Sequence, residues 1–518
     1  MSCGNPSADD DALMPRRFKF DKSRDCVKCK LKPGNIVIRH AVYCKECFIP
    51  HVTLKFRRAL EPFVNANAGT SKRPKLKAAG SLVLGFSGGL GSSILVDIVH
   101  KTYFANQPPT DESGEPRGGA NHPRNANVWP SCAVCYVEVC SALPETRDRT
   151  EEIRQVLAPY PRFQFIPLRI EDAFDDTWWS QVAPAEDRSR VALELGKDGL
   201  YTEGLAIASL SISLSPVDAL RSYLTSLPTQ TAVSNAIRVL IRLLLLYTAR
   251  SREASHLLLG TSLTTLSVSL ISCISQGGGY AILEEQQEEW NPETAPVKDR
   301  PRHGIRVVRP LRDVTLKECA TFAWWNRIPV VGREKQARAV AGIAGLTKDF
   351  IVGLERDYPS TVSTIARTCA KLEPKSVSQG SCILCDRPLQ EGLEDWKDRI
   401  SIRSYSDPKI ATDLVHFPLP TSTDPSITSN PSVHPPSITK CLCYSCQTML
   451  TSRSSRGPKL ARIPHGDEGT SSAALPTWVT ADLVDSHMLV SDNGEVWRRK
   501  RGDEAEKRRA VAEFLLDQ

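Results

Sequence analysis

Two groups of cysteines carry the spacing of metal ligands. Cys26 and Cys29 form one Cys-x-x-Cys pair and Cys44 and Cys47 a second, separated by a short segment containing Pro33 and Gly34. Two such pairs can close one tetrahedral thiolate shell around zinc. Burial as small hydrophobes is the poorer account, because the neighbours Lys28, Lys30, Lys45 and Glu46 are charged. Toward the other end Cys382 and Cys385 face Cys443 and Cys446 in the same pattern, with Cys441 as a fifth thiol that could replace one ligand. The long insertion between these pairs costs little, since loop-closure entropy grows only with the logarithm of length. Closed four-thiolate sites hold small modules together and leave no open position for a substrate. Structural zinc is therefore expected at both sites, and catalysis at neither.

Cys132 and Cys135 lie in a strand-like run whose period of two points them to opposite faces, so burial is preferred over ligation. Cys273, Cys319 and Cys369 stand alone and read as core.

The other chemical candidate is the turn Ser87-Gly88-Gly89-Leu90-Gly91-Ser92, which follows the apolar run LVLGF and opens a helix. Glycines let backbone approach an anion, and a helix N-terminus offers free N–H groups and the positive end of its dipole. Ser87, Gly88, Gly89 and Ser92 are the candidate nucleotide-binding residues. On pattern alone, glycine serving only a tight turn is an equal reading.

These groups must be positioned by a larger frame. A basic amphipathic helix is expected over residues 45–63, then a charged linker to residue 80. From Ser81 strands alternate with helix-length segments: strand 82–86, helix 92–103, strand 133–139, helix 146–158 and strand 162–168. Helix 232–250, strand 256–260, helix 263–275, strand 305–311 and helix 316–325 continue the pattern. Such alternation predicts an α/β fold with a doubly wound parallel sheet. The expected domains are a disordered segment 1–20, a zinc module with basic helix 21–64, a linker 65–80, an α/β domain 81–375 interrupted at 106–127, a second zinc module 376–450 interrupted at 407–440, and a polar tail 451–518 ending in a helix.

The 518 residues are 41% hydrophobic and 24% charged, ample for an α/β core with smaller modules. No stretch reads as a membrane span: the run from Ile241 to Tyr247 is short and flanked by Arg238, Arg242 and Arg250. The first residues lack the apolar core of a signal peptide, so a reducing, cytoplasmic setting is expected for the 16 cysteines. Helix 237–247 reads as core, with Arg238 and Arg242 marking its outer edge. A net charge of +7 is mild and matters only where cations cluster.

The glycine turn resembles the signature of the PP-loop ATPase family, Ser-Gly-Gly-x-Asp-Ser, with Gly91 in the place of the aspartate. LLLGTSLTTLSVSLIS at 257–272 resembles a worn form of that family's Gly-His-Asn-x-x-Asp segment, with Thr261, Ser262 and Thr265 in place of its polar members. RPLRDVTLKECA at 309–320 resembles the strand and helix that follow. With RDYPSTVSTIARTCAKL at 356–372 and the flanking cysteine pairs, the chain is similar to the non-catalytic subunits of eukaryotic wobble-uridine tRNA thiolases, over residues 20–450. The catalytic sister subunits carry a Cys-x-x-Cys where this chain reads LPTQTAVSNAIRVLIRLLLLYTARSREA, without cysteine.

The resemblance implies a heterodimer with a catalytic subunit that adenylates uridine with ATP and takes sulfur from a thiocarboxylated ubiquitin-like carrier. The expected substrates are the lysine, glutamate and glutamine tRNAs. This chain would support its partner and help hold tRNA. Lys45, His51, Lys55, Arg57 and Arg58 on the first helix and Lys72, Arg73, Lys75 and Lys77 in the linker could contact phosphates; a solvated charged face is the alternative for each. An ATP-dependent tRNA sulfurtransferase acting alone, or a zinc-dependent interaction module without RNA, are the competing functions.

Overall fold

The computed structural model describes residues 25–39, 41–64, 78, 80–105, 127–143, 146–183, 190–195, 205–209, 214–291, 304–332, 342–372, 378, 380–390, 392–393, 396, 437–452 and 472–480. The central sheet has six strands: β3 (Ser81–Phe86), β4 (Cys132–Glu138), β5 (Phe163–Arg169), β8 (Ala254–Leu259), β9 (Glu288–Trp290) and β10 (Ile305–Val308). Their spatial order is β5-β4-β3-β8-β10-β9, all parallel except the edge strand β9. β4 is buried along its whole length, as a parallel strand covered on both faces must be. Cys132 and Cys135 are both buried and belong to different hydrophobic clusters, one on each face of the sheet.

The chain turns back at β3: β4 and β5 extend the sheet on one side, β8 and β10 on the other. In an open α/β sheet this switch point leaves a crevice beyond the carboxyl ends of the two central strands, where ligands bind. The glycine turn after β3 and residues 260–262 after β8 flank that crevice.

α2 (Leu90–Val99) and α8 (Leu316–Asn326) pack together in one layer, with α1 (Lys45–Val64) laid over α8. α1 buries Phe48, Val52, Phe56, Leu60 and Val64, an i, i+4 stripe that faces the core. Before it, β1 (Ile36–Ile38) and β2 (Ala41–Tyr43) form a short hairpin. α3 (Thr150–Leu157) starts four residues later than expected, because the preceding turn is held by Glu138, which accepts hydrogen bonds from the N–H of Val139, Cys140 and Arg149.

On the opposite face α6 (Gln230–Ser251) is the central core helix. Its length and apolar composition suffice to cross a membrane, which corrects the expectation that no stretch would; two thirds of its apolar window is buried inside the protein. α4 (Asp176–Val182) and α5 (Pro216–Ser226) pack beside it, and a second sheet, β6 (Val191–Glu194), β7 (Ile207–Ser209) and β11 (Ser472–Ala474), closes this side in the order β11-β6-β7. The segment expected as a polar tail therefore supplies a strand, and Trp478 and Val479 join the same core. α7 (Leu263–Ser275), α9 (Gly342–Asp357) and α10 (Thr361–Cys369) form a third cluster that includes Cys273 and Cys369, while Cys319 lies in the α2–α8 layer. The last helix among the described residues, α11 (Tyr444–Thr451), packs on α6. The expected terminal helix lies outside the described residues, as do residues 106–126 of the insertion expected at 106–127 and 407–436 of the one expected at 407–440; residues 437–440 are ordered, with Ile438 buried and its N–H bonded to Leu205 O.

Candidate functional site

Each cysteine set converges. The Sγ atoms of Cys26, Cys29, Cys44 and Cys47 lie within 4.8 Å of one another, as do those of Cys382, Cys385, Cys443 and Cys446. Cys29 and Cys44 are 3.8 Å apart at sulfur, and Cys385 and Cys443 3.7 Å. A tetrahedron with metal–sulfur bonds of about 2.3 Å has edges of about 3.8 Å, so both sets fit one ion; a disulfide needs about 2.05 Å. Cys441 is buried outside the second set, and its thiol is pushed up by that burial. Cys443 takes the fourth position.

The two sites share a backbone plan. In each, the first pair sits on a knuckle whose next residue is left-handed, Lys30 at φ 56° and Asp386 at φ 52°. Lys30 N–H donates to Cys26 O at 2.8 Å and Asp386 N–H to Cys382 O at 2.7 Å. In each, the second pair opens a helix: Cys44 and Cys47 at the start of α1, Cys443 and Cys446 at the start of α11. A helix N-terminus favours thiolate. At the second site hydrogen bonds from Cys382, Cys443 and Cys446 hold the Cys385 thiol well below its usual value, while burial pushes Cys382 up. Four cysteine sulfurs packed this closely could hold a metal ion as thiolates.

The glycine turn is shaped by contact rather than by side chains. Gly88 is left-handed at φ 72°. Gly91, in the first turn of α2, lies against the backbone of Gly260, and a Cβ added there would stand 1.9 Å from the Gly260 carbonyl oxygen. The position expected for a carboxylate can therefore hold no side chain. Ser92 Oγ donates to Gly89 O at 2.9 Å and accepts from Ser87 N–H at 3.3 Å, and the two hydroxyls are 3.3 Å apart. Both serines are engaged within the turn.

Beyond the turn, in the crevice at the switch point, lies a cavity of about 450 Å³. Its apolar lining includes Leu245, Leu257, Leu259 and Val307. Its walls carry Arg238, Arg242, Arg309 and Arg387 against Glu285 and Glu288. Arg242 does not mark an outer edge, as the sequence suggested: it pairs with buried Glu288 and donates to Cys385 O at 2.7 Å, joining the cavity to the second cysteine site. Arg238 is the more exposed of the two and lies 3.4 Å from Glu285. The signal for Arg242 was present, since a cation embedded in the Leu- and Ile-rich helix has to be buried with a partner. Among the described residues no cysteine lines this cavity.

Glu285 is the hub. It accepts from Arg387 at 2.6 Å and from Ser269 Oγ at 2.6 Å. Burial alone would raise its carboxyl, but Arg387, Arg238 and Arg309 outweigh this and hold it well below its ordinary value. A depressed carboxylate contributes stability that is complete above its unfolded value, 4.5, and lost as pH falls through the folded one. Glu285→Gln is expected to cost about 3 kcal/mol at neutral pH. It should also flatten the loss of stability below pH 4.5, read by urea unfolding across a pH series.

The basic helix supplies fewer free cations than expected. Lys55 turns inward and donates to buried Glu318 at 2.5 Å, tying α1 to α8. His51 stacks on Tyr43 at 4.9 Å, and burial, with Lys55 nearby, lowers its value so that it is neutral near pH 7. Lys45, Arg57 and Arg58 are exposed. Lys72, Arg73, Lys75 and Lys77 lie outside the described residues.

Comparison with known proteins agrees over a large part of the chain. A sequence model of the family described as cytoplasmic tRNA 2-thiolation protein 2 matches residues 342–448. A protein of that name from Danio rerio is 26% identical over 399 residues, 70% of this chain and 72% of that protein. The one from Homo sapiens is 26% identical over 424 residues, 74% of each. Among solved structures, the U34-tRNA thiolase NcsA from Methanococcus maripaludis with its [4Fe-4S] cluster aligns with a TM-score of 0.40 at 15% identity, covering 67% of this chain and 87% of that one.

Proposed function

We propose that this chain, a relative of cytoplasmic tRNA 2-thiolation protein 2, serves in wobble-uridine 2-thiolation as the non-catalytic subunit of a heterodimeric tRNA thiolase. The observation that carries the reading is the contact of Gly91 with Gly260, which leaves no room for an acidic side chain in the loop. Absence of thiols among the described residues that line the adjacent cavity supports it, since sulfur transfer through a cysteine needs a thiolate there. The setting is the cytoplasm, as the relatives' names state.

In this reading the partner adenylates the uridine with ATP and receives sulfur from a thiocarboxylated ubiquitin-like carrier, while this chain stabilises the partner and helps hold lysine, glutamate and glutamine tRNAs. Both cysteine sets would hold structural zinc: Cys26, Cys29, Cys44 and Cys47 at one end, Cys382, Cys385, Cys443 and Cys446 at the other. Zinc there would fix the knuckle against the helix start; the residues themselves do no chemistry on substrate.

Of the cations expected to meet phosphate, Lys45, Arg57 and Arg58 are described and exposed. Arg57→Ala with Arg58→Ala is expected to weaken binding of tRNA by the complex roughly 3- to 10-fold and to lower the salt slope by one to two, about one per lost phosphate contact. Filter binding across a salt series reads both. Unchanged affinity and slope would remove this helix from the RNA-binding surface, and absence of RNA binding by the complex would favour a pure interaction module.

A further inference from the structure

A separate cleft of about 540 Å³ opens beside the second cysteine site, between the last turn of α7 and the first residues of α11. None of its lining residues belongs to the crevice at the switch point. Tyr280, Trp396 and Tyr444 line it together with the carboxamides of Gln276 and Gln390. Among the described residues no carboxylate, ammonium or guanidinium does.

The aromatic walls are fixed in place. Trp396 and Tyr444 meet edge to face, their ring centroids 4.8 Å apart and their planes at 85°. Both rings are half-buried, so each keeps part of its surface open. The backbone of Gly277 closes against the Tyr444 ring: a Cβ there would stand 2.5 Å from Cδ1. Gln276 Nε2 donates to Ser272 O at 2.9 Å, which ties that amide to the end of α7. At Gly279 the wall is open, since a Cβ would meet nothing within 4 Å.

A neutral cleft that combines ring faces with carboxamides suits a flat ligand carrying hydrogen-bond donors and acceptors around its perimeter, with no counter-charge required. A nucleobase has that form, and unstacked bases of single-stranded RNA are taken up on aromatic side chains and hydrogen-bonded at their edges. A proline-rich peptide, the other common occupant of aromatic grooves, has no N–H at its prolines and would leave the amide oxygens without a donor.

We infer that this cleft holds one base splayed out of single-stranded RNA, stacked in the corner of Trp396 and Tyr444 with its edge toward Gln390. The inference deepens the tRNA-holding role proposed above and rests on it, adding a contact to a base where the basic helix would meet phosphates. Stacking tolerates any base, so this contact positions RNA rather than selecting a sequence.

The test is fluorescence anisotropy of the full chain with labelled hexauridylate and with a hexamer of abasic ribose phosphates, repeated on Trp396→Ala and Gly279→Leu. Hexauridylate is expected to bind at least about 5-fold more tightly, and that advantage should persist at raised salt, which screens the phosphate contacts common to both hexamers. Trp396→Ala should weaken hexauridylate about 5- to 100-fold, the worth of one stacked base, and leave the abasic hexamer unchanged. Gly279→Leu, which extends a side chain into the open cleft without meeting the fold, should do the same should the Ala variant fail to fold. Equal binding of the two hexamers, hexauridylate affinity unchanged in the folded variants, or displacement of hexauridylate by decaproline would overturn the base site. Filter binding of tRNA by the complex separates the two levels: retained, it confines such a failure to the cleft; lost as well, the tRNA-holding role fails with it.

Discussion

Cys382→Ser is expected to abolish cooperative unfolding of the half of the protein built around α6, whereas Cys26→Ser should leave that half intact. The asymmetry follows from packing. Cys382, Cys385 and Cys446 are members of the same buried cluster as the leucines of α6 and the second sheet. Trp478 Nε1 donates to Leu384 O at 3.2 Å, Tyr247 hydroxyl to Asp386 at 3.0 Å, and Ile438 N–H to Leu205 O at 3.0 Å. The module is thus keyed into the main core from three directions. A structural tetrathiolate site contributes on the order of 10 kcal/mol where it organises its own fold, comparable with the whole stability of a domain. The N-terminal set sits outside the clusters, and α1 keeps independent anchors in Phe48 against Trp325, Lys55 on Glu318, and His256 against the Phe63 carbonyl. Near-ultraviolet circular dichroism of Trp178, Trp290 and Trp478 together with thermal melting checks this: the near-ultraviolet signal should collapse for Cys382→Ser and survive for Cys26→Ser. Equal loss in both variants would contradict the packing argument.

Gly91→Asp, the change that would complete the signature the turn resembles, is expected to damage the protein. The new Cβ would meet the Gly260 carbonyl oxygen, which is backbone and cannot rotate away. Overpacking against side chains costs about 1–3 kcal/mol, and a backbone clash at the meeting of β3, α2 and β8 belongs at or above the upper end. Denaturant midpoints compare Gly91→Ala and Gly91→Asp: both should fall, by amounts set mostly by the Cβ they share. A stable Asp variant would show that the approach of Gly91 to Gly260 is dispensable.

Much of this was legible in the sequence, and the exceptions have physical reasons. The parallel frame could be read because β3, β4 and β8 are apolar runs separated by helix-length periods, and the cysteine spacing announced both four-cysteine groups. The strands β6, β7 and β11 escaped because three or four residues are too few for a period, and β11 reaches β6 from nearly 280 residues away. The cavity charges were only partly legible. That Arg242 is buried could be read from its apolar helix, but that Glu288 is its partner only tertiary contact supplies. Lys55 was read as a free cation for want of Glu318, which only tertiary contact supplies.

The measurement that bears most directly on the non-catalytic reading is thiolation of a wobble-uridine tRNA with ATP and a sulfur donor, comparing this chain alone, the catalytic partner alone and both together. The Gly91–Gly260 contact and the lack of a thiol among the described residues lining the cavity predict sulfur incorporation only when the partner is present, with more in the pair than with the partner alone. Sulfur transferred by this chain by itself would contradict the account, and would mean that the turn activates ATP without a carboxylate.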